Sequence, residues 1–411
     1  MACAGRTVSR WRSQRIAVGG EGAMQFGLVF PLWNLMDGPR ELLQRAVGEI
    51  GIDHLTVPAV TGPLTQFRLC GDLPHPTFST EGGWHYPPGR DGYAVCGVRP
   101  HAAHWFGRRD LLAQLRDEAV RRGLRLFMRL DLRAVAPRAE QQRHLCPRNA
   151  WGDELPAAGA CVSHPELREL LRATLADLQR YEPAGFELVD WAPSLPVDRG
   201  HARPLAWDET VRALLDLCFC PACREIALGA ADADRTDAGR LPLDPDAAAR
   251  SVRVHVQRLL SSAGDGAART NAERDPLLAE YCRAVAADSH AWLSRLRERY
   301  AGGRCLLTLD VAAAGTSQTG FSACGWELEL RCGQRDAGAL ERLQAAAVGG
   351  GASACSLWVW QPLFAEAAEL VRRVTGLAEA GVRFFDFEGL EQSPPQVVDW
   401  LRQAVRYARR G

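Results

Sequence analysis

The chain has 411 residues and a formal net charge of zero, with 47% hydrophobic and 24% charged residues. Those proportions suit a globular chain with a full core, and the balanced charge argues against a nucleic-acid partner, whose binding surface needs a basic patch. All 49 basic residues are Arg, which excludes Schiff-base lysine chemistry and a P-loop, since both need a lysine amine.

The longest apolar runs are strand-length, short of the roughly 20 residues a membrane helix needs, so no membrane partner is expected. Residues 1–23 are basic and lack the apolar core of a secretory signal. They are expected to be a disordered tail, with residues 24–411 forming one folded domain that opens at Met24. Thirteen cysteines without a signal peptide read as reduced, mostly buried thiols of a cytoplasmic protein, and the odd count disfavours a disulfide framework.

In chain order, Gln25 to Trp33 reads as a first strand, Pro39 to Ile50 as an amphipathic helix and His54 to Val60 as a second strand. From Thr61 to Trp105 the chain is rich in Gly, Pro, His and aromatics with no periodicity. A loop of that length in a compact domain is usually functional or mobile. A helix over Arg108 to Arg122 leads to the strand Leu124 to Leu132, whose even positions are apolar and whose odd positions include Arg129 and Asp131. His164 to Tyr181 is expected to be a helix capped by Ser163 with Pro165 in its first turn.

The next strand is GFELVDWAP, Gly185 to Pro193, which carries Glu187 on its less apolar side and Asp190 where the strand gives way to a loop. Helices are expected over Trp207 to Leu217, onward from the Cys-Pro step, and over Asp246 to Ser262 and Pro276 to Tyr300. Strands over Cys305 to Ala313, Gly325 to Leu330, Ala354 to Pro362 and Val382 to Gly389 follow, with helices over Asp336 to Ala347, Phe364 to Ala380 and Pro395 to Arg409. Eight strands mostly separated by helices predict an α/β (β/α)8 TIM-like barrel, with a long insertion after the second strand and extra helices before the fifth. The first strand has no glycine fingerprint for an open dinucleotide-binding sheet.

Strand parity places Arg129, Asp131, Glu187, Thr308, Asp310, Glu327, Glu329, Asp386 and Glu388 on one side and mostly Leu, Val, Phe and Met on the other. In a barrel the apolar set meets the helices and the polar set faces inward, toward the mouth at the strands' C-terminal ends. Neutralised ion pairs in a polar interior are the alternative. A carboxylate-lined mouth with aromatics suits carbohydrate, where one acid protonates the leaving oxygen and a second carboxylate attacks or activates water. Trp33, Trp84, Trp191, Trp358 and Trp360, with His85, fall at or after strand ends or in the insertion, where rings could stack on sugars. Trp151 has a similar place.

Cys218, Cys220 and Cys223 form a C-x-C-x-x-C group. A structural zinc site takes four ligands, so Cys146, Cys161 or His201 would have to complete it. A redox pair at Cys220 and Cys223, or plain buried thiols, are the other readings.

The segments ACVSHPELRELL, GFELVDWAP and LCFCPACREIA, with L-C-F-C-P-x-C after the fourth strand, resemble uncharacterised bacterial glycoside hydrolase-like proteins with a TIM-barrel catalytic domain. The resemblance implies a glycosidase, a hydrolase of O-glycosyl bonds, with a carbohydrate or glycoside substrate. Glu187 and Asp190 are then candidates for nucleophile or base and Asp310 or Glu388 for proton donor. Arg129, Asp131, Glu327 and the aromatics named above would bind substrate. No cofactor is required on this reading beyond a possible structural zinc. A non-catalytic carbohydrate-binding barrel and a metal-dependent hydrolase or isomerase are the rival readings.

Overall fold

Eight strands pair in parallel and close on themselves. The computed structural model describes residues 23–36, 40–68, 76–89, 91–132, 140–156, 159–189, 191, 209–233, 243–261, 266–300, 303–310, 326–332, 339–348, 353–359 and 364–410. Its strands are β1 (Gln25–Val29), β2 (His54–Thr61), β3 (Leu64–Phe67), β4 (Thr77–Thr80), β5 (Gly83–Trp84), β6 (Arg125–Leu130), β7 (Gly185–Val189), β8 (Arg304–Asp310), β9 (Glu327–Cys332), β10 (Ala354–Trp358) and β11 (Phe384–Glu388). The barrel order is β1-β11-β10-β9-β8-β7-β6-β2, and β1 pairs with β2 to close the ring. The eight strands expected from the sequence are these eight, so the fold is the predicted TIM-like barrel.

The helices are α1 (Arg40–Arg45), α2 (Leu111–Arg121), α3 (Pro165–Leu178), α4 (Glu209–Leu215), α5 (Pro221–Ala233), α6 (Pro245–Ser261), α7 (Gly266–Glu273), α8 (Pro276–Arg299), α9 (Ala339–Val348), α10 (Ala367–Glu379) and α11 (Val397–Ala408). Local chemistry sets several of their starts. Asp110 accepts the Ala113 N–H at 2.9 Å, and Asp275 accepts those of Leu277 and Leu278 ahead of Pro276. The cap of α3 is His164 and not Ser163: its Nδ1 accepts the Glu166 N–H at 3.3 Å.

Alternation along the strands sorts the side chains into two environments. Leu126, Met128, Phe186, Leu188, Leu307, Leu330, Leu357 and Phe387 join the main core shared with the outer helices. Facing inward, Phe127, Leu306, Ala354 and Phe384 form a separate small apolar layer. The next inward positions toward the C-terminal ends are polar, and Arg129 stands beside Glu187 and Thr308 beside Glu329 in the strand register. One backbone position is fixed by this filling: a Cβ at Gly27 would fall on the imidazole of His54, so only glycine leaves room there.

The insertion after β2 has structure of its own. β3 and β4 form an antiparallel hairpin, and β5 adds to β2 antiparallel. Between β7 and β8, α4 to α8 build a second apolar cluster that includes Ala150, Cys161, Phe219 and Tyr281. Helix α7 was not expected, because its segment GAARTNAE is short and has no large apolar residue. Residues 1–22 lie outside the described residues, and Met24 packs against the main core. Among the described residues no helix is long and apolar enough to cross a membrane.

Candidate active site at the barrel mouth

A cavity of about 650 Å³ opens where the parallel strands end. Trp33, from the turn after β1, and Leu64 to Gln66, from the insertion, form its upper wall. Arg129, Asp131, Arg331, Trp358, Glu388 and Glu391 supply its floor and far side. Its volume falls within the range of small-molecule pockets, and a largely apolar lining carries a few charged groups.

Glu388, the last residue of β11, is the anchor of the floor. Its carboxylate accepts from Arg129 Nη1, from Arg331 Nη2 at 2.9 Å and from the Ser356 hydroxyl. Burial alone would raise its pKa, but the two guanidinium groups outweigh that and bring it down to about 2. Glu388 is therefore an ionised carboxylate at any ordinary pH, which suits charge stabilisation or nucleophilic attack and does not suit proton donation.

Glu187 lies deeper. It is fully buried, is absent from the cavity lining, and sits with Arg129 Nε at 2.7 Å. Thr308 Oγ1 is 2.5 Å from Glu187 and 2.7 Å from Glu329. A hydroxyl has one proton, so it donates to one of these carboxyls and accepts from the other. The Glu329 pKa is pushed well up, first by burial and then by the neighbouring charges of Glu187 and Asp386. Asp386 completes the layer, accepting from Thr56 at 2.8 Å and lying 3.1 Å from His54 Nε2. Arg129 thus holds Glu187 and Glu388 at once, and touches Ser356 at 3.3 Å through its third nitrogen.

Glu391 was not singled out in the sequence. It sits in the short turn Leu390–Gln392 after β11, lines the cavity and is 4% exposed. The Gln66 side-chain amide donates to its carboxyl, and that amide is oriented by Trp33 Nε1, which donates to Gln66 Oε1 at 2.8 Å. Burial raises the Glu391 pKa to about 7. The signal available in the sequence was an acid three residues beyond Glu388, in a turn where strand parity says nothing. Gln66 and Arg331 were missed for other reasons, as an amide in an aperiodic insertion and a cation one residue beyond the end of the strand expected over Gly325 to Leu330.

The other expected residues divide. Trp33, Asp131 and Trp358 line the cavity with Arg129. Glu327 does not: it is the first residue of β9, at the opposite end of the barrel, bonded to Arg304 and Ser353. Trp84 is buried beside β2. His85 is buried beneath Trp33, its Nδ1 accepting from Trp105 Nε1 at 2.9 Å and its Nε2 lying 2.7 Å from the Thr61 hydroxyl, so it supports the wall from behind. Trp191 is buried in a stack with Trp292, 5.8 Å between ring centres. Tertiary packing claimed these rings, and their position after strands could not distinguish the two fates. Asp310 ends β8 in register with Arg331, with its side chain outside the described residues, as are Asp190, Trp360 and His201.

Away from the mouth, Cys161, Cys218, Cys220 and Cys223 converge, all buried, with their sulfur atoms within 4.8 Å of one another. Cys161 is 3.5 Å from Cys223 and 3.8 Å from Cys218. Four sulfurs at about 2.3 Å from one zinc ion in a tetrahedron stand about 3.8 Å apart, so the set fits that ion. Cys146, the other described candidate for fourth ligand, is not in the group. Hydrogen bonds from Cys218, Cys220 and Cys223 lower the Cys161 pKa well below the ordinary thiol value, and burial pushes that of Cys218 up.

No protein-family model matches the chain. No curated protein matches it either. Among solved structures, the chain is similar to a beta-galactosidase from the psychrophilic Marinomonas ef1, with a TM-score of 0.53 and 11% identity over 93% of this chain and 59% of that one. It is also similar to alpha-L-fucosidase isoenzyme 2 from Paenibacillus thiaminolyticus, with a TM-score of 0.51 and 12% identity over 93% of this chain and 49% of that one. The chain spans between about half and three fifths of the length of these enzymes. At such identities the likeness is one of fold alone.

Proposed function

We propose that this barrel acts on a glycoside, binding it in the cavity at the C-terminal ends of the strands and using Glu388 as the charged carboxylate of the reaction. The observation that carries the reading is the state of Glu388: a carboxylate held ionised by two arginines on the floor of a cavity flanked by Trp33 and Trp358. Such a group sits well to face the positive charge that develops on a sugar ring as its glycosidic bond breaks. The partly exposed indole of Trp358 supplies the apolar contact that sugar rings favour, while Trp33, buried and stacked on Phe78 with 4.7 Å between ring centres, stiffens the wall. The likeness to barrels of galactosidase and fucosidase structures agrees with the reading at the level of fold.

Screening aryl glycosides and oligosaccharides with the purified chain tests it. Hydrolysis of at least one class is expected, with a loss of roughly 10²-fold or more in kcat for Glu388→Gln, comparable to removal of one preorganised electrostatic group. Saturable quenching of tryptophan fluorescence by sugars, without hydrolysis of any, would turn the reading to a carbohydrate-binding barrel.

We also propose that Cys161, Cys218, Cys220 and Cys223 hold a structural zinc ion. All four positions are filled by thiol sulfur, so the site is closed in the manner of a structural centre and leaves no position open for substrate. It would fasten the start of α5 to the loop that precedes α3.

A further inference from the structure

The sequence supplied many acids but no way to tell which of them keeps its proton. Two carboxyl groups line the cavity from the same stretch of chain, and their surroundings are opposite. Glu388 receives two guanidinium groups and a hydroxyl. Glu391, three residues on, receives neutral amides, from Gln66, itself locked by the Trp33 indole, and from Gln392 beside it in the turn. Among the described residues, the other charged groups lining the same cavity are Arg129 and Asp131 at the end of β6, Arg331 from β9 and Glu388 from β11. Both of those arginines are turned onto Glu388.

From this arrangement we infer that Glu391 is the proton donor to the departing glycosidic oxygen, with Gln66 and Trp33 as the positioning residues that aim its carboxyl into the cavity. The inference rests on the glycosidase reading given above. In the step, the bond between the anomeric carbon and the glycosidic oxygen breaks, and its electron pair stays on that oxygen together with the Glu391 proton. The carboxylate left on Glu391 regains a proton from the water whose hydroxide ends on the anomeric carbon. Enzymes that cleave glycosides at neutral pH need one carboxyl that stays protonated and one that stays ionised, and environments that drive two acids apart are the mark of that division. A Glu391 pKa raised to about 7 and a Glu388 pKa lowered to about 2 agree with the geometric assignment.

The experiment compares wild type, Glu391→Gln and Gln66→Ala on aryl glycosides of one sugar, with a dinitrophenolate leaving group that departs unaided and an alkyl phenolate that needs a proton. Glu391→Gln is expected to lose roughly 10²–10⁴-fold in kcat/KM on the poor leaving group and far less on the good one. Its alkaline limb near pH 7 should vanish. Gln66→Ala should shift that limb while folding normally. Equal losses on both leaving groups, or no loss on either, would overturn the assignment and leave the glycosidase reading standing. If wild type cleaves no glycoside, both fall together. Carbon-13 titration of the carboxyl groups supplies a readout independent of turnover. A resonance with a midpoint near 7 that is missing from Glu391→Gln is expected. A Glu391 midpoint in the ordinary glutamate range overturns the proposal whatever the kinetics.

Discussion

The sulfur atoms of Cys161 and Cys223 lie 3.5 Å apart although 62 residues separate them in sequence, and between them in the chain comes the whole of β7. Protein purified without chelator is expected to carry about one zinc per chain by elemental analysis, and Cys161→Ser to carry far less. Stripping the metal should lower the melting temperature, because the binding free energy of a structural ion is part of the folding free energy. Metal-free protein with an unchanged melting temperature would return the four thiols to plain packing.

Replacing Arg129 should be far more damaging than replacing either carboxylate it holds. Arg129→Met leaves Glu187 and Glu388 buried with their main partner gone, a change that costs about 3–5 kcal/mol for a broken buried pair. Glu187→Gln keeps an acceptor for Arg129 Nε and for Thr308, and should cost about 1–3 kcal/mol. Urea unfolding followed by circular dichroism measures both. A larger loss for Glu187→Gln than for Arg129→Met would contradict the network as described.

Gly27 and His54 offer a coupled pair. Gly27→Ala sets a methyl group against the buried His54 ring, so strong destabilisation is expected. In a His54→Ala background the same substitution should cost much less, and a double-mutant cycle reads the coupling directly. Additive effects would mean that the two side chains do not compete for one space.

The two cavity acids should give stability opposite dependences on pH. The folded pKa of Glu388, about 2, lies below its ordinary 4.5, so it contributes stability present in full above that ordinary value and lost as pH falls toward 2. Glu391 is the reverse: with a folded pKa near 7 it binds its proton more tightly when folded, and stability declines as pH rises from 4.5 through 7. Glu391→Gln should therefore match wild type at about pH 4 and exceed it at about pH 8, by at most about 3 kcal/mol. The deficit of Glu388→Gln should be largest at neutral pH and shrink below 4.5. Equal pH dependence in the two variants would refute the assignment of separate environments.

Strand parity carried most of the fold and the polar interior, because a period of two leaves the same trace in the sequence as on the wall of a barrel. Arg129, Glu187, Glu329, Asp386 and Glu388 were all placed inward by it, and the structure has them there. Depth was not legible. Glu327 and Glu388 have the same parity sense, yet one begins its strand and the other ends it, at opposite ends of the barrel. Positions off the strands were the least readable. Glu391 lies in a turn and Gln66 in an insertion, and what joins them is a contact across 325 residues. The fourth cysteine was one of several candidates until the fold brought Cys161 and not Cys146 to the motif.

The two acids at the mouth differ in what fixes them. Glu388 is tied into strands through Arg129, Arg331 and Ser356, whereas Glu391 takes its setting from Gln392 in its own turn and from Gln66 and Trp33, which stand on the hairpin insertion and on the turn after β1. Loops exchange, lengthen and drift far more readily than barrel strands do. Descendants of this scaffold could therefore shift the proton affinity of Glu391 by altering the insertion while the charge on the floor stays as it is.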